Sequence, residues 1–83
     1  MNHNDHSMIP EHMMKNMKKY IEKKEPIGGF LTSVFANDLF KAVSKADDKN
    51  IDLIKNYVLW IWNNAPMECY GSYEKVKNWT NNK

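Results

Sequence analysis

The spacing of the apolar residues restricts the fold of this chain more than any other feature. The clearest stripe lies in residues 51–65 and consists of Ile54, Tyr57, Val58, Ile61, Trp62 and Ala65. Apolar residues three and four positions apart lie on one face of an α-helix. No segment alternates apolar and polar residues as a half-buried strand does. The sequence therefore predicts an all-α fold, with a central helix over residues 51–64.

Leu53 and Trp60 fall on a second face of this predicted central helix. A helix with two apolar faces either packs on both sides or presents one face to a partner. The sequence leaves both alternatives open for Trp60. Asp48 or Asn50, in the preceding turn, is the expected N-cap.

Three further helices complete the predicted architecture, a small bundle of about four. The first covers residues 10–24, because Pro10 suits a first helical position, where its missing N–H is no loss. The second is one long helix over residues 30–47 with Asn37 and Asp38 inside it, and a local break at these two residues is the alternative. The last is short, with Ser72 as N-cap and its end near Trp79. Residues 1–8 are predicted to be a disordered tail, and residues 9–83 a single helical domain.

The chain is short, with 83 residues and one cysteine. Small scaffolds usually need disulfides, a metal or oligomerisation for stability, and a single cysteine excludes an internal disulfide. The chain also has three Trp, four Tyr and three Phe residues. Some of this aromatic surface can serve as an interface. We therefore expect a homo-oligomer.

The formal net charge is +2, and all 12 basic residues are lysines. Specific base recognition favours the planar arginine side chain, so its absence argues against sequence-specific DNA binding. No stretch is apolar and long enough to cross a bilayer, and the first residues do not resemble a signal peptide. We expect a cytoplasmic protein without a membrane partner.

Catalytic motifs are not found in the sequence. A nucleophilic Cys69 would need a base, and His12 is the only histidine in the predicted domain; a simple buried thiol is the alternative. There is no phosphate loop, CxxC or HExxH motif. His3, Asp5 and His6 belong to the predicted tail and lack a complete metal-ligand set. The sequence predicts no enzyme, no cofactor and no metal.

Asp38 interrupts the apolar pattern of the predicted second helix. It falls within or beside the buried stripe, where an unpaired carboxylate would be costly, so it must have a hydrogen-bond partner. One interpretation is structural, with an indole N–H of Trp62 or Trp79, or the amides that open the last helix at Ser72, as donor. The other is functional: Asp38 and Asn37 face a cleft and bind a polar ligand.

Glycines precede two predicted helices, as Gly28-Gly29 and as Gly71-Ser72. Free N–H groups at a helix start can bind an anion, although a tight turn also requires glycine. Tyr70, Tyr73 and the three Trp residues are available to stack on a base. The candidate ligand-binding residues are thus Gly28, Gly29, Phe30, Asn37, Asp38, Tyr70, Gly71 and Ser72.

Four strings of the sequence carry a resemblance that covers nearly everything after Met8. They are Ile9-Pro10-x-His12, Pro26-x-Gly28-Gly29-Phe30-Leu31-x-x-Val34-x-x-Asn37-Asp38-Leu39, Ala46-Asp47, and Cys69-x-Gly71-Ser72-x-Glu74-Lys75-Val76-x-x-Trp79. With these strings the chain resembles a family of small uncharacterised phage-encoded accessory proteins. It departs from that pattern at Tyr70, often Trp, and at Tyr73, often Pro. The resemblance implies a non-virion protein in the host cell cytoplasm and no catalytic residues.

Accessory proteins of this kind often counter host defence. For this chain the resemblance therefore implies a counter-defence function, by one of two mechanisms. In the first, an oligomer sequesters a small anionic, nucleotide-derived immune signal without catalysis. In the second, a lysine and aromatic surface inhibits a host defence enzyme by binding it. A third hypothesis is non-specific binding of single-stranded nucleic acid, which the absence of arginine and the small net charge disfavour.

Overall fold

A computed structural model describes residues 8–82 of the chain. Over these residues the protein has six α-helices, one short 3-10 helix and no strand. The helices are α1 (Glu11–Lys23), α2 (Gly29–Phe35), α3 (Leu39–Lys45), α4 (Asp48–Ile51), α5 (Ile54–Asn64) and α6 (Tyr73–Asn81), with the 3-10 helix (Met67–Cys69) before α6. The all-α class is confirmed, whereas about four helices was too few. The predicted tail, residues 1–8, lies outside the described residues except for Met8.

The first helix agrees with its prediction to within one residue at each end. Pro10 is the N-cap of α1 and not its first helical residue. Lys24 ends the helix in the left-handed conformation, with φ 58°, and its N–H bonds to the carbonyl of Tyr20. Met17 and Tyr20 are fully buried, so α1 packs through one apolar face.

The prediction of one long helix over residues 30–47 was wrong, because the helix is interrupted between α2, which ends at Phe35, and α3, which begins at Leu39. Asn37 has φ 64°, a left-handed conformation that Asn tolerates better than most residues. The Asp38 N–H bonds to the carbonyl of Ser33 at 2.9 Å, and Asp38 Oδ1 accepts the N–H of Lys41 at 3.1 Å. Asp38 is therefore the N-cap of α3. Asn and Asp favour caps and turns over helix interiors, and apolar spacing does not reveal this preference.

The segment before α5 also differs from its prediction. Its residues form α4, and the cap is Asp47, whose Oδ1 accepts the N–H of Asn50 at 2.7 Å. The predicted caps, Asp48 and Asn50, both lie inside α4. Asn50 is buried and its Oδ1 accepts the hydroxyl of Tyr57 at 2.7 Å. This bond joins α4 to α5 and explains why a polar side chain is buried there.

The orientation of α5 is the main departure from the sequence prediction. Trp60 is only 5% exposed and packs in the core with Tyr57 and Ile61. Val58 and Trp62, predicted as core residues of the central helix, are 50% and 70% exposed. The helix therefore buries the side that includes Trp60, and the predicted stripe lies partly at the surface.

The core is one cluster built from α1, α2, α5, α6 and the 3-10 helix. Two hydrogen bonds cross it: the Tyr20 hydroxyl donates to the Cys69 carbonyl at 2.6 Å, and Trp79 Nε1 donates to the Tyr20 carbonyl at 2.8 Å. Burial, reinforced by Cys69, raises the pKa of the Tyr20 hydroxyl, which therefore keeps its donor proton. These bonds hold α6 and the 3-10 helix against α1.

The N-cap of the last helix is confirmed. Ser72 Oγ accepts the N–H of Lys75 at 3.1 Å. The helix continues past Trp79 and ends at Asn81. Ser72 could be predicted because a cap depends mainly on the residues within one turn of it.

Candidate binding groove

A groove runs along α5 on the side opposite Trp60, between α5 and the junction of α2 with α3. It consists of two adjoining recesses that share Val34, Asn37 and Val58. The narrow recess has a cavity volume of about 50 Å³ and is otherwise lined by Ser33, Asp38, Leu39, Ala42 and Ile54. The wide recess has a cavity volume of about 260 Å³ and is otherwise lined by Phe35, Ile61, Trp62, Tyr70 and Gly71. The wide recess approaches the size of small-molecule sites.

The rim of the groove is apolar and exposed. Trp62 is 70% exposed, Leu39 58% and Val58 50%. Two more apolar residues of α3 are also exposed: Phe40, next to Leu39 in the sequence, and Val43, four positions after Leu39. Single exposed apolar residues are ordinary, but a group of large apolar side chains along a groove is typical of an interaction surface.

Asp38 does not occupy the buried mid-helix position expected from the sequence. It is partly exposed at the start of α3. Its partners are the Tyr73 hydroxyl, which donates to Oδ2 at 2.6 Å, and the backbone N–H of Lys41. The expected indole donors are not its partners, since Trp79 bonds to Tyr20 and Trp62 is mostly exposed. The expectation of a hydrogen-bonded carboxylate is confirmed, but that of a buried one was wrong.

The electrostatics of the groove depend on this carboxylate. The hydrogen bond from Tyr73 and then that from the Lys41 N–H lower the pKa of Asp38, so it is ionised at neutral pH. No other charged side chain lines either recess, among the residues that the structure describes. The groove therefore combines an apolar surface with a single negative charge.

Gly28, Gly29 and Phe30 lie away from the other candidate residues. Gly28 is the N-cap of α2, whereas Asn37 follows the other end of that helix. Seven helical residues separate the two ends by about 10 Å. The Phe30 ring packs edge-on against Tyr57, with 5.3 Å between the ring centres, and not over an open site. The two glycine-led helix starts are thus at opposite ends of α2.

Gly71 and Ser72 are near the groove, but their polar groups have partners. The Gly71 N–H donates to the Phe35 carbonyl at 2.7 Å. Ser72 Oγ caps α6. Tyr70 and Gly71 line the wide recess together with Asn37. The structure therefore brings together Asn37, Asp38, Tyr70 and Gly71, whereas the Gly71 N–H is not free to bind an anion.

The sequence prediction missed most of the apolar lining of the groove, including Leu39, Val58 and Trp62. Val58 and Trp62 were placed in the core because they follow helical spacing. One sequence signal did indicate an exposed apolar surface on α5, namely its second apolar face with Leu53 and Trp60. A helix in a small domain rarely buries its whole circumference, so one of two apolar faces is expected to be exposed.

Cys69 lies in the core and not in the groove. Its side chain is fully buried, and burial raises the pKa of its thiol to about 11. At neutral pH the thiol is therefore protonated and a poor nucleophile. His12, the histidine considered as its base, is exposed in the first turn of α1.

No three His, Cys, Asp or Glu side chains in residues 8–82 are grouped as metal ligands would be. His3, Asp5 and His6 lie outside that range. None of the helices formed by the described residues has the length and apolar character needed to cross a lipid bilayer.

Comparison with protein families, with curated proteins and with solved structures finds no match to this chain.

Proposed function

We propose that this protein is a binding module that holds an apolar segment of a partner protein in its groove. The observation that carries the proposal is the exposed apolar rim, with Trp62 70% exposed beside a recess of about 260 Å³. Tryptophan is the residue type most enriched among the energetically dominant contacts of protein interfaces. In the setting that the resemblance to phage accessory proteins implies, the partner is a host defence enzyme and binding inhibits it.

Charge favours a protein partner over an anionic nucleotide. Asp38 would repel phosphate groups in the narrow recess, and the Gly71 N–H is already bonded to Phe35. No arginine is available for a bidentate phosphate contact. An apolar protein segment needs no phosphate-binding donor, because its binding depends on the burial of apolar surface.

The proposal is tested with a matched pair of variants, Trp62→Gln and Met67→Gln. Both side chains are 70% exposed, but only Trp62 lines the groove. Host proteins captured on the immobilised chain are identified by mass spectrometry, purified, and titrated by calorimetry. We expect Trp62→Gln to weaken binding about 30-fold, as loss of a dominant interface contact does, and Met67→Gln to leave it unchanged.

Equal binding by wild type and Trp62→Gln would contradict the proposal. The molar mass in solution, from light scattering, tests the expected homo-oligomer on the same variants. A dimer that becomes monomeric only in Trp62→Gln would mean that a second copy occupies the groove, and would replace the host partner in this proposal.

A second candidate function is capture of a nucleotide-derived signal without catalysis. It is favoured by one observation: Trp62 and Tyr70 both line the wide recess, where a base could stack, and Asn37 offers an amide. In a thermal-shift screen of cyclic nucleotides and ADP-ribose derivatives, one class should raise the melting temperature and be recovered unchanged after denaturation. Absence of any shift would contradict this function and leave the protein-binding proposal standing.

A further inference from the structure

We propose that the groove selects a partner segment that carries one basic side chain near its apolar anchor, and that Asp38 recognises this basic group. The inference rests on the proposed function, because it assumes that the groove binds a protein segment. It adds a chemical description of that segment: an aliphatic or aromatic anchor for the wide recess and a lysine or arginine for the narrow one.

The carboxylate of Asp38 is held in place by two neutral donors. Oδ1 accepts the Lys41 backbone N–H at 3.1 Å, and Oδ2 accepts the Tyr73 hydroxyl at 2.6 Å. A carboxylate has about four acceptor sites on its two oxygens, so these bonds leave acceptor capacity for a ligand. Because neither donor is a cationic group, neither bond cancels the charge. The Lys41 side chain adds only a weaker electrostatic stabilisation.

The charge and the apolar anchor site belong to adjoining recesses of one groove. Asp38 shares the narrow recess with Ile54, and Trp62 lines the wide recess. Both Ile54 and Trp62 are on α5, and their separation in sequence corresponds to about 12 Å along the helix axis. The two recesses share Val34, Asn37 and Val58, so a single segment can place a basic group in the narrow recess and an anchor in the wide one.

Charge complementarity therefore favours a cationic occupant over the alternatives. An anionic ligand would meet the single negative charge of a lining that has no cationic side chain to offset it. A purely apolar segment would cover a partly exposed, ionised carboxylate and remove its water without providing a partner. A segment with one basic group avoids both costs.

Three small molecules that differ only in their polar end provide the test: 4-phenylbutylammonium, 4-phenylbutan-1-ol and 4-phenylbutanoate. Each is titrated at low salt into the full-length protein labelled with nitrogen-15, and amide and indole signals are followed by NMR. We expect all three to shift the Trp62 indole signal. The ammonium compound should bind about twofold to fivefold more tightly than the alcohol, in the range expected for an exposed charge pair, and the carboxylate should bind more weakly than the alcohol.

The variant Asp38→Asn should remove this preference, so that the ammonium compound no longer binds more tightly than the alcohol or the carboxylate. Asparagine is as good an N-cap as aspartate, so α3 should remain capped. Asp48→Asn is the matched control: it removes the same charge from an exposed residue that lines neither recess. If Asp38→Asn does not fold, added salt tests the same point in the wild type, since screening should abolish the advantage of the ammonium compound over the alcohol.

The outcomes separate this inference from the proposed function. Equal binding of the three compounds, or tighter binding of the carboxylate, would overturn the role of Asp38 and leave an apolar groove. Failure of all three compounds to shift the groove signals would count against the proposed function itself. Tighter ammonium binding that persists in Asp38→Asn would also overturn the inference.

Discussion

Two residues with left-handed backbone angles shape the groove. Asn37, with φ 64°, turns the chain from α2 into α3, and Gly71, with φ 120°, brings the chain back to the end of α2. The Gly71 N–H bonds to the Phe35 carbonyl at 2.7 Å, which holds the wall of the wide recess in place. Only glycine adopts the Gly71 conformation without strain.

Gly71→Ser should therefore destabilise the protein by about 1 to 3 kcal/mol, the usual cost of a strained backbone conformation. Gly28→Ser is the matched control, because Gly28 has φ −67°, is an N-cap, and has open space where a β-carbon would lie. Serine is a good N-cap, so this variant should remain within about 0.5 kcal/mol of wild type. Urea unfolding followed by circular dichroism measures both; similar losses in the two variants would contradict the argument.

For single residues, the sequence could predict a local helix cap but not a contact between distant residues. Ser72 was predicted as a cap because its bond to the Lys75 N–H lies within one turn. Asp38 was misplaced because Val34, Leu39 and other apolar neighbours keep helical spacing across the break. Its bond with Tyr73, 35 positions away, depends on tertiary packing that spacing does not encode.

At the scale of the helix, α5 has two apolar faces with different environments. One includes the buried Trp60 and packs in the core; the other includes the exposed Trp62 and lines the groove. Helical spacing predicted that this segment is a helix, and that was confirmed. It could not determine the rotation of the helix, because both faces carry large apolar residues and only tertiary contacts, such as those with α2, decide between them.

The two tryptophans should respond very differently to truncation. Trp60→Ala should cost about 3 to 5 kcal/mol, as removal of a large buried side chain does. Trp62→Ala should remain within about 0.5 kcal/mol of wild type, because its side chain is mostly in water. Thermal melts followed by circular dichroism provide the comparison. A larger loss in Trp62→Ala would mean that α5 packs through the face predicted from the sequence.

At the scale of the whole molecule, distant parts of the chain meet at Tyr20. Its hydroxyl bonds to a carbonyl 49 positions away, and its carbonyl accepts a bond from a side chain 59 positions away. The all-α class could be predicted because it depends on local periodicity. The groove could not, since its two walls come from α5 and from the junction of α2 with α3, and their approach follows from these distant contacts.

Tyr20→Phe should reduce the stability of the entire fold. It leaves the buried Cys69 carbonyl without its donor, which typically costs about 1 to 3 kcal/mol. Tyr73→Phe serves as the comparison, because it also removes a hydroxyl bond, but one exposed to water. We expect a smaller loss there, since water can replace the donor at Asp38. Chemical denaturation of both variants checks the order, and the reverse order would contradict it.

The unequal exposure of the three tryptophans gives the protein a built-in optical reporter. Trp60 is buried and Trp79 is partly buried and bonded to Tyr20, so both should emit at short wavelength and resist quenching by acrylamide. Trp62 should supply the long-wavelength, easily quenched part of the fluorescence. Any molecule that enters the groove will then shift that component to the blue and shield it, without a dye or label.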